Sequence, residues 1–218
     1  MKINNLELHT IKVRLTFQEE ILGTASNNPE IHSDFVASKA PDAKKFKEEV
    51  AAIGVEEAIE KSMTVFPRDE SGNPILYDYQ IKGFFKDACG MLRNVPGTGS
   101  NKLSAFKKKI DGMVFVFPRM IPLNIPSGEQ GTCERPLRAQ TAQGDRVALA
   151  NSETAPAGTT IEFEIGCLTK DLLPVCREWL EYGILRGIGQ WRNSGKGKFL
   201  WQEIDGETGE IVGGNYTD

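Results

Sequence analysis

Histidine is nearly missing from this 218-residue chain, which contains two, His9 and His32. So few imidazoles rule out a histidine-rich metal site and leave proton-transfer chemistry to a lone His9 or His32 acting as general acid or base. Cysteine is scarce and scattered, at positions Cys89, Cys133, Cys167 and Cys176. No C-x-x-C pair occurs, which excludes a zinc knuckle or a disulfide framework and leaves reduced, mostly buried thiols. No apolar run is long enough to span a bilayer, and the opening MKINNLELHT has no signal-peptide core. The expected location is therefore the cytoplasm, with no membrane partner. No GK[ST] closes a G-x-x-x-x run, so a Walker loop is absent, and no cofactor or metal is expected. Surplus positive charge is missing too. Lys and Arg number 26 against 30 Asp and Glu, a net charge of -4, which counts against a protein that coats nucleic acid with its whole surface.

Apolar residues make up 39% of the chain, enough for a sizeable core in one large domain or a small one with an insertion. The charge is unevenly spread. From Arg93 to Arg119 six cations (Arg93, Lys102, Lys107, Lys108, Lys109, Arg119) face one anion, Asp111, and from Arg186 to Lys198 every charged residue is a cation. If these two segments converge in space, an acidic protein can still offer one basic groove. The second segment holds the most informative stretch, Gly187–Lys198, GIGQWRNSGKGK. Its four glycines allow close backbone approach, and Arg192, Lys196 and Lys198 supply charge, so an anion such as a phosphate chain suits it. The loop follows a helix and leads into a strand, the reverse of a dinucleotide site. The alternative is a glycine-rich connection with solvated charges.

Alternation predicts a strand over Thr10–Phe17, followed by an extended stretch at Ile21–Gly23. Asn28–Glu30 opens a short helix, and about 41–61 forms a charged helical insertion. Thr64–Phe66 and Pro74–Tyr77 flank a turn and predict a hairpin. Ile81, Phe84, Phe85, Ala88, Met91 and Leu92 share one face of a helix over Tyr79–Arg93. Gly112–Phe117 reads as a buried strand, and 119–157, broken by prolines, as β-hairpin or long-loop material. Gly158–Leu168 reads as a strand and Leu172–Arg186 as a helix directing Leu172, Val175, Trp179, Leu180 and Leu185 to the core. A last strand, Lys198–Glu203, precedes an acidic hairpin and polar tail. This order predicts an α+β fold: a ferredoxin-like antiparallel sheet with a helical insertion and a mid-chain β-hairpin extension.

Two segments carry a resemblance. The strand TTIEFEIGCL, its helix and then GIGQWRNSGKGKF resemble the glycine-rich signature of the RAMP superfamily, the RNA-binding proteins of CRISPR effector complexes. Ile81–Ala88, IKGFFKDA, is similar to the superfamily's Leu-Lys-Gly helix, with Tyr79-Gln80 where small serines normally stand. The layout most resembles the backbone subunits that polymerise along guide RNA. The resemblance implies a single RAMP-like domain over 1–218, an RRM-like sheet with the mid-chain hairpin as a thumb-like extension, that binds single-stranded RNA, or DNA, through its backbone and without base specificity. It implies that Lys82, Lys86, Gly187, Gly189, Arg192, Gly195, Lys196 and Gly197 touch phosphates, with Lys198 beside them. The mid-chain extension would reach a neighbouring copy in an oligomer or filament. Trp191 either stacks a base or anchors the loop, and Lys107, Lys108 and Lys109 are either a solvated face or part of the site. The chain also resembles phage and prophage proteins of similar length, which suggests an alternative: a mimic of a backbone subunit that blocks CRISPR effector proteins. A third reading is a metal-independent endoribonuclease using His9 or His32, or a loop aspartate such as Asp34 or Asp87. Binding rather than catalysis is the expected activity.

Overall fold

The structure, a computed structural model, describes residues 2–3, 6–27, 63–126, 128–141 and 144–216, with the side chains of 137–149 left aside. The short helix opening at Asn28, the helical insertion at about 41–61, His32 and Asp34 lie outside the described residues. Lys2–Ile3 (β1) and Leu6–Glu7 (β2) form a small ladder of their own.

His9–Phe17 (β3) is the central strand, and its alternation is strict: Ile11, Val13, Leu15 and Phe17 are buried. Period-two burial of β-branched and aromatic residues is what a half-buried strand requires. On one side β3 pairs antiparallel with Phe199–Ile204 (β13), and on the other with Thr160–Cys167 (β12). Val114–Phe117 (β8) and Ile211–Gly214 (β14) complete an antiparallel sheet of order β14-β13-β3-β12-β8. Two helices connect these strands, Asp78–Leu92 (α1) between β3 and β8, and Leu172–Glu181 (α3) between β12 and β13. The resulting split βαβ pair is the ferredoxin-like arrangement expected from the sequence.

Both helices pack on one face of the sheet. Ile81, Phe84, Phe85, Ala88 and Cys89 form the buried stripe of α1, at the three- and four-residue spacing that puts side chains on one helical face. Leu172, Leu173, Val175, Cys176, Trp179 and Leu180 do the same for α3. Phe85 meets Trp179 at 5.3 Å between ring centroids, and Phe84 meets Phe199 edge-on at 5.2 Å. Each such ring, fully buried, contributes about 1.5–3 kcal/mol. Glu178 ties down the loop that follows α1: its carboxylate accepts from the backbone of Gly99 and Ser100, and Trp179 Nε1 donates to Ser100 Oγ at 2.9 Å. Cys89, Cys167 and Cys176 are buried and Cys133 half-buried, all four unbridged.

The outer face of the sheet is polar along its two central strands, while the flanking β8 places Phe115 and Phe117 on it. Along the two central strands it presents Thr10, Lys12, Arg14 and Thr16 beside Thr160, Glu162, Glu164 and Gly166, with no aromatic side chain. Lys12 and Arg14 both pair with Glu162, at 3.1 and 2.7 Å. Burial pushes the Glu162 carboxyl up, but the hydrogen bonds from Arg14 and Lys12 outweigh it and hold the group below its usual 4.5.

Gly131–Thr141 (β10) and Gly144–Ala155 (β11) form the mid-chain hairpin, paired residue by residue from Gly131↔Thr154 to Thr141↔Gly144. At roughly 3.4 Å per residue it is about 37 Å long. Its root joins the body through Ile21–Leu22 (β4), which pairs with Ala155 and Thr154, and Thr64–Val65 (β6), which pairs with Ser152 and with Ala25–Ser26 (β5). Glu153 is buried in this root, accepting from Phe66 N at 2.8 Å and pairing with Arg68.

Three expectations are corrected. The turn between Thr64 and Tyr77 forms, with Arg68 bridged to Pro74, but its arms part: β6 joins the hairpin root, whereas Ile75–Tyr77 (β7) pairs with Met120–Pro122 (β9). The lysine run is helical, as Phe106–Met113 (α2), and the strand begins only at Val114. The C-terminal helix breaks at Tyr182 and resumes as Gly183–Arg186 (α4), which leaves Leu185 68% exposed and out of the core.

Candidate nucleic-acid interface

The glycine loop is two structures in one. Its ends serve the fold: Ile188 N donates to Gly197 O at 2.9 Å, closing a narrow neck, and Gly197 N donates to Glu20 O at 2.9 Å. Gly187 and Gly197 lie so close that a β-carbon on Gly197 would stand 1.9 Å from the Ile188 carbonyl oxygen. Ile188, 3% exposed, plugs the neck into the core. Lys196 is held by Glu20 at 2.6 Å, and that hydrogen bond raises its pKa. Gln18 N also donates to Lys198 O at 2.8 Å, so the segment from Gln18 to Glu20 grips the loop from below.

The middle of the loop does something else. Gly189 and Arg192, with Ile188 beneath, face Gln80, Gly83 and Phe84 of α1 and Thr24 across a cavity of about 300 Å³. Gln80 is fixed there by two bonds, accepting from Tyr77 N at 2.7 Å as the α1 cap and donating to Thr24 Oγ1 at 2.6 Å. Gly83 leaves the wall open, with no heavy atom within 4 Å of where a β-carbon would lie. At the rim, one carboxylate oxygen of Asp87 accepts from both Arg186 Nε and Arg192 Nη1, each at 2.8 Å. Two guanidiniums on one carboxylate leave the rim with a net positive charge. The hydrogen bond that Arg186 donates to Asp87 raises the Arg186 pKa above its usual value.

Beside the cavity, Trp191 holds a left-handed backbone conformation (φ 55°), which costs a non-glycine residue roughly 1–2 kcal/mol. Its indole is 38% exposed and carries the Arg135 guanidinium over its ring, 5.2 Å from the centroid. Arg135 Nη2 also donates to Gln190 Oε1. Trp191 thus neither enters the core nor stands alone.

The structure brings Gly189, Trp191, Arg192 and the Gln80–Gly83 flank of α1 together. It does not bring Lys82 and Lys86 to them. On α1 these lysines occupy the other flank of the buried stripe, facing α2: Lys86 pairs with Asp111 at 2.5 Å, and Lys82 donates to the Asp111 carbonyl at 3.0 Å. Burial lowers the Lys82 pKa, against the pull of Asp111. Lys107 and Lys108 are exposed and Lys109 half-buried on α2, the same side as Lys82 and Lys86. The two basic segments read from the sequence therefore lie on different flanks of α1. Gly195 turns the loop tip and Lys198 lies alongside it, its Cε 3.8 Å from the position of a Gly195 β-carbon. His9 opens β3 at the end away from the loop, since the loop leads into Phe199, the partner of Phe17. At about 3.3 Å per residue that is roughly 26 Å, too far to serve chemistry at the loop. Asp87 is engaged by two arginines. Among the described residues no three His, Cys, Asp or Glu side chains group to hold a metal, and no helix is long and apolar enough to cross a membrane. Arg135, Arg186, Gln80 and Thr24 were not singled out as site residues in the sequence: Arg135 and Thr24 have no motif around them, and Gln80 and Arg186 stand just outside the segments that do.

The chain shares its fold with a chain of an RNA-bound complex. It is similar to a chain in the cryo-EM structure of the type III-B Cmr-beta bound to cognate target RNA, with a TM-score of 0.51 and 12% sequence identity. The likeness covers 96% of this chain and 60% of that one, so the chain spans about three fifths of its neighbour's length. At this identity it is a likeness of fold. No family model matches the chain, and no curated protein does.

Proposed function

We propose that this chain is a RAMP-type subunit that binds single-stranded nucleic acid, RNA in preference to DNA, by its backbone and without reading base sequence. The strand lies across the cavity between α1 and the glycine loop. The observation that carries this reading is convergence: the two sequence segments that resemble the RAMP superfamily, far apart in the chain, line one cavity with a cationic rim. Gly189 offers backbone without a side chain, and Arg192 and Arg186 together outweigh Asp87, a suitable setting for phosphate. The solved neighbour of the same fold is a chain of an RNA-bound complex, which supports the same reading. The polar outer sheet argues against RRM-style recognition, because that mode needs aromatic platforms on the central strands. The long hairpin, rooted at 152–155, is the arm that would touch a neighbouring subunit. Binding rather than cleavage is favoured by the place of His9, the one described imidazole, at the wrong end of the sheet.

Gly83→Glu tests this. The position is exposed and has room for a side chain, and glutamate is the better helix former by roughly 0.5–1 kcal/mol, so the fold should hold or gain. Fluorescence anisotropy with a labelled single-stranded RNA should show binding by the wild type that weakens steeply with salt, and at least a tenfold loss in the variant. Unchanged binding by a folded Gly83→Glu protein places the strand elsewhere.

A further inference from the structure

Arg135 is the most buried of the described arginines, 7% exposed, and it is buried without a carboxylate partner among the described residues. Arg14, Arg68, Arg177, Arg186 and Arg192 each meet a carboxylate. Arg135 meets none among the described residues. Its Nη2 has Gln190, its plane has Trp191, and its Nε and Nη1 are buried without a hydrogen-bond partner. A buried guanidinium with two orphaned donors is costly in a protein alone, and the cost is removed by an anion. We infer that Arg135 holds a backbone phosphate of the bound strand, at a second contact point under the root of the hairpin.

The position supports this assignment. Arg135 sits on β10 opposite Ala150, and Gln190 and Trp191 belong to the same loop that lines the cavity. A strand crossing the loop therefore meets Trp191 next. Its half-exposed indole covers the guanidinium, and turning it aside uncovers a fixed cation already desolvated on its other sides. A phosphate there gains charge-assisted hydrogen bonds without first stripping water from the arginine. The inference rests on the reading that the chain binds single-stranded nucleic acid, and it adds a contact that the cavity alone does not provide.

The test compares Arg135→Met and Arg135→Lys with the wild type, using a labelled oligouridine. Arg135→Met should melt at the wild-type temperature or above it, since an unanswered buried charge has been replaced by apolar volume. It should bind about tenfold more weakly, the loss of one charge-assisted hydrogen bond. The slope of log affinity against log salt should become shallower by about 0.7, one phosphate fewer. Arg135→Lys should recover the slope. Wild-type affinity and slope in Arg135→Met overturn the inference while leaving the cavity reading intact. A melting temperature several degrees lower, with the slope unchanged, makes Arg135 a structural residue and also overturns it. Failure of the wild type to bind any single strand at low salt removes both readings and leaves a protein partner.

Discussion

Replacing Gly197 by alanine should cost far more than replacing Gly195, although both glycines have positive φ, 70° and 89°, and stand two residues apart. At Gly195 the nearest atoms to a new β-carbon are the flexible end of Lys198, at 3.8 and 4.0 Å. Only the left-handed backbone then resists, at roughly 1–2 kcal/mol. At Gly197 the same strain applies, but the β-carbon would also stand 1.9 Å from the Ile188 carbonyl oxygen. The neck must open. That breaks the Ile188–Gly197 hydrogen bond, worth about 1 kcal/mol, and partly exposes a buried isoleucine, worth about 1.5–3 kcal/mol when fully buried. The sum is roughly 3–5 kcal/mol. For a chain of this size each kcal/mol moves the melting temperature by about 2–4 °C. Differential scanning calorimetry should find Gly197→Ala about 6–20 °C below the wild type and Gly195→Ala about 2–8 °C below it, with the first drop at least about twice the second. Equal melting temperatures would falsify the division of the loop into a structural neck and a ligand-facing middle.

Two further outcomes follow from charges at the site and on the sheet. Asp87→Asn should lower stability by about 1–2 kcal/mol, because it loses two arginine bonds, yet tighten single-strand binding roughly three- to tenfold at low salt, because Arg186 and Arg192 lose their competitor for phosphate. Anisotropy titrations showing weaker binding in a folded Asp87→Asn protein contradict that role. Glu162 has a folded-state pKa below its usual 4.5, so the unfolded chain binds the proton first as pH falls. Its contribution is therefore full above pH 4.5 and is lost as pH drops through the folded value. The side chain is 38% exposed, so screening limits it to well under about 1 kcal/mol. The small gap in melting temperature between wild type and Glu162→Gln should close as pH is lowered below 4.5; a gap that stays constant to pH 3 speaks against it.

The parts of this fold that were readable are those where one periodicity dominates. β3 and β12 alternate cleanly, and α1 repeats apolar residues at three and four, so their strand and helix spans follow within a residue or two. α2 escaped because Phe106–Met113 buries only Ile110, too little to make a stripe among three lysines and a glycine. β14 escaped because Ile211–Gly214 is a short edge following an acidic turn, and its pairing with β13 is a tertiary fact. At the site, the loop and the α1 segment were legible by their glycines and charges. Which flank of α1 turns to the loop was not, since that depends on α2 occupying the other, and this is why Lys82 and Lys86 were assigned to phosphate. Arg135 had no local signal at all: its partners Gln190 and Trp191 are some 55 residues on.

The five residues from Gln18 to Leu22 touch both the glycine loop and the hairpin arm. Glu20 and Gln18 clasp the loop at Gly197, Lys196 and Lys198, while Ile21 and Leu22 are laddered to the root of the hairpin, and the next residue, Gly23, donates to Glu153 in β11. Loop and arm are therefore anchored to one short segment. A substitution that loosens this segment would disturb the loop and the arm together.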